Sequence, residues 1–235
     1  MGIVRRGPPE ELVLLLSNAL RISIFVETGT FRGDTVKWAA SHFKKVFTIE
    51  NSEKLFQEVS STYKHLKNVK FILGDSREVL ASLLAEIHEP ALFWLDAHWC
   101  GTDSWGADDE CPLIQELEII LSARIDHFIL IDDARLFLSP PPLPHVVEQW
   151  PTIDVVCRTV YSKRSEYYLV VFEDVIVAVP NVARLLVAEY CQAANTEAWE
   201  KLGYHGARNG FDLIKRGLIL ITRDALYKFK QVAGI

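Results

Sequence analysis

Apolar positions along this chain alternate between two patterns. Five short continuous runs are rich in β-branched and aromatic residues: ISIFVETG from Ile22, KVFTIE from Lys45, VKFILGD from Val69, ALFWLDAH from Ala91 and HFILIDD from His127. Between them lie DTVKWAASHF, SEKLFQEVSSTYKHL, SREVLASLLAEI and CPLIQELEIILSA, segments of helical composition. Continuously apolar strands are buried on both faces, and alternation with amphipathic helices implies a largely parallel sheet covered by helices. Right-handed crossovers then give a doubly wound, Rossmann-like α/β fold with helices on both faces. At the start, Pro8-Pro9 followed by Glu10 and Glu11 is a helix-opening signal, predicting an amphipathic helix over about residues 9 to 20.

The pattern changes after Asp133. LFLSPPPLPH contains four of the ten prolines and predicts a loop. DVVCRTVYS and EYYLVVFEDVIVAVP are both β-rich and are joined by the polar KRS, which predicts an antiparallel hairpin at a sheet edge and completes a seven-stranded sheet. VARLLVAEYCQAA then reads as a helix, followed by the glycine-punctuated LGYHGARNGFDLIKRG and the apolar LILITRDALYKF. The expected organisation is one domain over residues 1–180 with a helical and strand appendage, 181–235, packed on it.

Composition narrows the function classes. A net charge of −6 argues against a nucleic-acid surface, and SKRSE at Ser162 to Glu166 is too short to supply a basic patch. The arginines and apolar run at the N-terminus imitate a signal peptide, but Glu10, Glu11, Asn18 and Arg21 interrupt it and no small-residue cleavage site follows. No segment approaches the roughly 20 apolar residues that span a bilayer. Cys100, Cys111, Cys157 and Cys191 have no CxxC pairing, so the expectation is a cytoplasmic protein with reduced thiols.

Candidate chemistry follows from where ligands bind in open α/β sheets, beyond the carboxyl ends of the strands. Each of the five strand ends carries an acid: Glu27, Glu50, Asp75, Asp96 with His98 nearby, and Asp132 with Asp133. One such acid is an ordinary turn former; five in succession point to a site. The turn in FVETGTFRGDT has Gly29 and Gly33, which let backbone approach a ligand, but it lacks the Lys-Ser/Thr ending of a P-loop and departs from GxGxxG. A plain strand-to-helix turn capped by Thr30 or Asp34 also accounts for it. Glu50 lies 21 positions beyond Gly29, where dinucleotide folds place the acid that accepts ribose hydroxyls. Glu27 beside the loop disfavours a pyrophosphate, and a nucleoside with a cationic amino acid, S-adenosylmethionine, suits the charges better.

FVETGTFRGDT, FTIE, ILGDS and FWLDAHWCG, in this order and spacing, resemble successive motifs of class I S-adenosylmethionine-dependent methyltransferases over roughly residues 22 to 175. The resemblance implies that Glu27, Gly29, Thr30, Phe31, Gly33 and Thr35 form the first cofactor loop, by the methionine part. It further implies that Glu50 binds the ribose diol, that Asp75 and Ser76 sit by the adenine, and that Asp96 borders the cofactor. Phe31 stands where the family usually has a glycine. Within the family, the macrolide and sugar O-methyltransferases hold Mg²⁺ with an acid after the fourth strand and an Asp-Asp pair after the fifth. The matching positions are Asp96, Asp132 and Asp133, and His98 replaces a second acid. The implied activity is methyl transfer to an oxygen, less readily a nitrogen, of a small molecule such as a sugar or natural product. Asp96 and His98 are the candidate catalytic residues, and Mg²⁺ is a candidate aid. Turn or cap roles for the Asp pair and a strand-end role for His98 are the plainer alternatives. A nicotinamide-dependent oxidoreductase and a non-catalytic cofactor-binding protein stay open as other functions; no nucleic-acid or membrane partner is expected, and a homo-oligomer is compatible with the sequence.

The loop HWCGTDSWGADDECP, from His98 to Pro112, is long for a strand-to-helix connection and suits a lid. Trp99 and Trp105 are candidate covers for a ring, and Asp108 to Glu110 read as N-terminal helix acids. YHGARNG, from Tyr204 to Gly210, reads as a turn-rich connection or a closure over the acceptor.

Overall fold

The computed structural model describes residues 6–99 and 109–202, with residues 211, 214, 215, 218, 219 and 222. Trp105, Cys100, Asp108 and the YHGARNG segment lie outside the described residues. The chain divides into two compact units, Met1–Val187 and Ala188–Ile235.

The first unit is built on a seven-stranded sheet. Its strands are β1 (Ile24–Thr28), β2 (Lys45–Glu50), β3 (Val69–Leu73), β4 (Ala91–Leu95), β5 (Phe128–Ile131), β6 (Tyr168–Phe172) and β7 (Val175–Val179), in the spatial order β3-β2-β1-β4-β5-β7-β6. The first five pair in parallel, and β7 runs antiparallel to both β5 and β6. The helices are α1 (Glu10–Leu20), α2 (Asp34–His42), α3 (Glu53–Thr62), α4 (Ser76–Glu86), α5 (Leu113–Leu121), the single turn α6 (Arg135–Leu138), α7 (Ile153–Lys163) and α8 (Arg184–Leu202). α8 begins in the first unit and runs into the second, where residues 211, 214, 215, 218, 219 and 222 are helical.

β1, β4, β5 and β7 are buried along their whole length, whereas the edge strands β3 and β6 are mostly half-buried. This is what uninterrupted apolar runs in the middle of a two-sided sheet produce. On one face, Val26, Phe47, Phe93 and Ile129 pack with Leu80 of α4, Leu117 and Ile120 of α5, and Val156 and Val160 of α7. On the other, Phe25 meets Trp38 and Phe43, with ring centroids 6.1 and 5.1 Å away. Truncating an aromatic such as the fully buried Phe93 to Ala costs about 3–5 kcal/mol.

One prediction is corrected. DVVCRTVYS is not a strand but the body of α7. Its valines favour strands locally, yet Val156 and Val160 fall four apart and are both fully buried against the core, so helical periodicity prevails over β propensity. The hairpin lies wholly inside EYYLVVFEDVIVAVP, with Glu173 and Asp174 as its turn and Glu173 at φ 54°.

The parallel register sets the site. Thr28 lies beside Ile49 and Leu95, and Leu95 beside Ile131, so the chain leaves β1, β2, β4 and β5 at one rim.

Candidate cofactor and transfer site

The turn after β1 is shaped by three residues with positive φ: Gly29 at 85°, Phe31 at 45° and Gly33 at 79°. A Cβ on Gly29 would lie 2.2 Å from the Asp96 carbonyl oxygen, so this turn rests directly on the chain leaving β4. A Cβ on Gly33 would come within 2.7 Å of Val59 and 2.8 Å of Tyr63, so only a glycine lets the start of α2 pass this close to the two side chains. Phe31 adopts the left-handed region without being glycine, at a cost of about 1–3 kcal/mol. Its N–H donates to Glu50 Oε2 at 2.9 Å, which holds the strained peptide in place.

Glu50 Oε1 accepts the Ser52 N–H at 2.8 Å, so one carboxylate ties the β1 turn to the start of α3. Each carboxylate oxygen has two lone pairs, and each is used once by these backbone donors. One acceptor position per oxygen is left, a pair suited to a vicinal diol. Glu27 is directed elsewhere. It is buried beside β2, where Thr48 Oγ1 donates to its Oε2 at 2.7 Å. Since the single Thr48 hydrogen is used there, Thr30 Oγ1 is the donor in the 2.6 Å Thr30–Thr48 contact. Burial pushes the Glu27 carboxyl up to about 8, with Asp96 and Glu50 adding to the effect and Thr48 and Thr35 opposing it.

Asp75 caps α4 by accepting the Arg77 N–H at 2.9 Å and pairs with the Arg77 guanidinium at 2.6 Å. That hydrogen bonding holds its carboxyl below the usual range, against the effect of burial. Arg77 also binds Asp109, at the far end of the β4–α5 connection. Ser76 follows Asp75 at the start of α4, and the buried Glu116 of α5 hydrogen-bonds to it, with its carboxyl pushed up to about 7 by burial. Together these elements enclose a cleft of about 230 Å³ whose walls include Gly29, Phe31, Glu50, Asp75, Asp96 and His98. Ser76 and Asp133 also line it, whereas Glu27, Thr30, Gly33, Thr35 and Asp132 do not.

The β4 and β5 ends carry a charge network. His98 Nε2 donates to Asp133 Oδ2 at 2.8 Å and lies 3.7 Å from Asp96 Oδ1. Burial disfavours charge on this ring, but the Asp133 hydrogen bond and the fields of Asp96, Asp133 and Asp132 outweigh it and raise His98 to about 9. Burial together with Asp133 raises Asp96, with His98 opposing, and its side chain keeps about a third of its surface open. Burial and the two neighbouring carboxylates raise Asp132, whose Oδ1 accepts the Asp133 N–H at 2.7 Å. Asp133, at φ 54°, goes the other way: burial is outweighed by His98 and Arg135, and its carboxyl is lowered. Arg135 Nη1 reaches Asp133 Oδ1 at 2.6 Å and also binds Asp174, whose Oδ1 accepts the Arg135 N–H at 3.0 Å.

An aromatic wall backs His98. Trp150 stands 5.5 Å from it, centroid to centroid. Glu110, expected to be a helix-start acid, is instead buried and accepts from Trp150 Nε1 at 2.6 Å, His145 Nδ1 at 2.9 Å and the Val146 N–H at 3.0 Å. Its own carbonyl takes the Trp99 N–H at 2.8 Å, so Glu110 fastens both ends of the long loop to the segment before α7. Trp99 packs edge-on against His145 at 5.3 Å.

These carboxylates do not suit Mg²⁺. That ion needs oxygens about 2.0–2.1 Å away in near-ideal octahedral geometry, and both Asp133 oxygens already face nitrogen donors. Among the described residues no group of three His, Cys, Asp or Glu side chains is arranged to hold a metal. The set for a nucleoside cofactor does fit: Gly29 lines the cleft with bare backbone, and Glu50 keeps two acceptor positions beside it.

Arg77, Glu110, Arg135, Trp150 and Asp174 were not foreseen as parts of this region. Glu110, Trp150 and Asp174 find their partners far away in sequence, whereas Arg77 follows Asp75 and Arg135 follows Asp133 by two positions, a spacing that hints at charge compensation.

No family model matches the chain, and no curated protein matches it in sequence. Solved structures do resemble it. The O-methyltransferase TomG from Streptomyces achromogenes, involved in tomaymycin synthesis and solved in complex with S-adenosylmethionine, is 18% identical with a TM-score of 0.50, over 75% of this chain and 82% of TomG. A Staphylococcus aureus protein assigned as a caffeoyl-CoA O-methyltransferase is 16% identical with a TM-score of 0.54, over 75% of this chain and 86% of its own. The fold is that of the class I methyltransferases. A third example, the S-adenosylhomocysteine-bound Podospora anserina methyltransferase PaMTH1, gives 16% identity and a TM-score of 0.51 over 74% of this chain and 79% of its own. The order β3-β2-β1-β4-β5-β7-β6 with antiparallel β7 also departs from the dinucleotide-binding order 3-2-1-4-5-6. No helix among the described residues is long and apolar enough to cross a membrane.

Proposed function

We propose that this chain is an S-adenosylmethionine-dependent methyltransferase acting on an oxygen of a small molecule, with a sugar or natural product as the acceptor class. The observation that carries the reading is Glu50: two backbone N–H groups fix its carboxylate at the rim of a methyltransferase fold, with one acceptor position left on each oxygen. When bound, the cofactor supplies a methyl group activated by its sulfonium. Glu50 receives the ribose diol, and the backbone of Gly29 and Phe31 borders the amino-acid end. Ser76 and the start of α4 border the adenine, with the Asp75 carboxylate committed to Arg77.

Asp96 is the catalytic base in this scheme. It faces the cleft, is partly open, and lies 3.7 Å from His98. His98 is a poor resting base because its donated hydrogen bond to Asp133 favours the charged ring. It orients Asp96 instead and offsets negative charge as the acceptor proton arrives. A carboxylate base favours oxygen as the target, since a hydroxyl must lose its proton to attack well whereas a neutral amine need not. General-base assistance of this kind is worth about 10²–10⁴ in rate.

Parallel fluorescence titrations test the cofactor class. S-adenosylhomocysteine is expected to bind with a micromolar Kd and NADH not to bind. Preference for NADH would turn the reading to an oxidoreductase. Cofactor binding without turnover on any hydroxylated acceptor would favour the non-catalytic alternative.

A further inference from the structure

The place where the sequence resemblance implies a divalent cation, between Asp96 and Asp133, is faced here by the protein's own nitrogen donors. Asp133 is pinched between two of them: His98 Nε2 on Oδ2 at 2.8 Å and Arg135 Nη1 on Oδ1 at 2.6 Å. The same His98 nitrogen lies 3.7 Å from Asp96, so the ring stands between the carboxylates from β4 and β5 that an ion would need to bridge. Asp132 is buried and turned into its own backbone, with Oδ1 on the Asp133 N–H at 2.7 Å, and does not line the cleft.

This arrangement is anchored from outside the cleft. Asp174, in the β6–β7 turn and 3% exposed, binds both the N–H and the guanidinium of Arg135 and accepts the Ala134 N–H through its carbonyl at 2.8 Å. The hairpin thus fixes Arg135, Arg135 fixes Asp133, and Asp133 fixes His98. Trp150, 5.5 Å away, and the Glu110 clamp beneath it close the other side of the ring. A metal could enter only by displacing two seated donors and breaking a chain that ends in a buried carboxylate.

We infer that His98 and Arg135 replace the divalent metal at this site, so that the protein holds its acceptor and the Asp96 carboxylate without a metal ion. The acceptor is then held by hydrogen bonds rather than by chelation through adjacent oxygens. This rests on the methyl-transfer reading of the cleft, but its test is a binding measurement that does not depend on turnover.

Full-length protein is titrated with MnCl₂, a magnesium surrogate whose free ion is counted by electron paramagnetic resonance. Wild type is expected to leave the manganese free up to millimolar concentration. H98D, which restores an acid and removes the ring, is expected to bind Mn²⁺ at least tenfold more tightly than wild type. R135Q, which frees one Asp133 oxygen on a partly exposed side chain, is expected to gain less and serves if H98D does not fold, as judged by circular dichroism. Submillimolar binding by wild type that D133N abolishes would overturn the inference. A folded H98D with no gain would equally show that His98 does not occupy the cation's position. Failure of S-adenosylhomocysteine to bind any variant would instead count against the methyl-transfer reading alone.

Discussion

The two halves of the cleft are built differently. Around β1, β2 and β3, the site is backbone geometry: a glycine pressed onto the Asp96 carbonyl, a strained Phe31, and a Glu50 carboxylate that collects neighbouring N–H groups. Around β4 and β5, it is a side-chain charge network, in which His98 and Asp133 are separated by 35 positions and Arg135 and Asp174 by 39. The first half is held mainly by backbone groups of one β-α-β unit resting on the chain that leaves β4. The second exists only once the sheet has closed and the hairpin has docked. Binding and chemistry are therefore expected to fail separately, the first through turn geometry and the second through loss of a single charged partner.

The sharpest separation is expected from Asp96→Asn, which keeps shape and removes the base. Turnover should fall by about 10²–10⁴, with the Kd for S-adenosylhomocysteine unchanged within about twofold. Single-turnover kinetics beside a binding titration would check this, and a joint loss would merge the two halves. Next is Gly29→Ala. Its added Cβ meets the Asp96 carbonyl oxygen at 2.2 Å and its φ of 85° suits only glycine, so cofactor affinity should drop by about 100-fold or more and stability by more than about 1 kcal/mol. By contrast, Phe31→Gly relieves a left-handed φ and should keep the fold to within about 1 kcal/mol.

Arg135→Gln strands the buried Asp174 carboxylate without its cation. A loss of about 1–3 kcal/mol in urea denaturation is expected, with cofactor affinity preserved. The last expected effect is a pH slope. The Glu27 carboxyl lies near 8 in the fold against an ordinary 4.5, so the folded state binds the extra proton between those values. Its contribution to stability is present below about pH 4.5 and is lost as pH rises towards 8, because stability falls wherever the folded state holds more protons. Glu27→Gln should remove that part of the slope, and parallel denaturation series at several pH values would show whether it does.

The same division explains what the sequence made legible. The five parallel strands and their helices followed from uninterrupted apolar runs, and the placing of Glu50 against the turn after β1 followed from its distance to Gly29, because both belong to one β-α-β unit. The hairpin was misplaced because Val155, Val156 and Val160 favour strands in isolation, while burial of Val156 and Val160 against α5 and the sheet makes that stretch a helix. Glu110 looked like an ordinary helix-start acid, since its partners Trp150 and His145 come from beyond the proline-rich loop. Asp133 was visible as a candidate metal ligand, but the two nitrogen donors that face its oxygens were not. His98 was visible in DAHW, but its bond to Asp133 depends on β4 and β5 lying side by side.

The central claim is that Glu50 is the cofactor's ribose acceptor, and calorimetric titration of S-adenosylhomocysteine into wild type and Glu50→Ala tests it most directly. The account predicts micromolar binding to wild type and at least a 100-fold loss in a variant that circular dichroism shows to be folded. Equal affinity in the two proteins, or no binding to well-folded wild type, would contradict it.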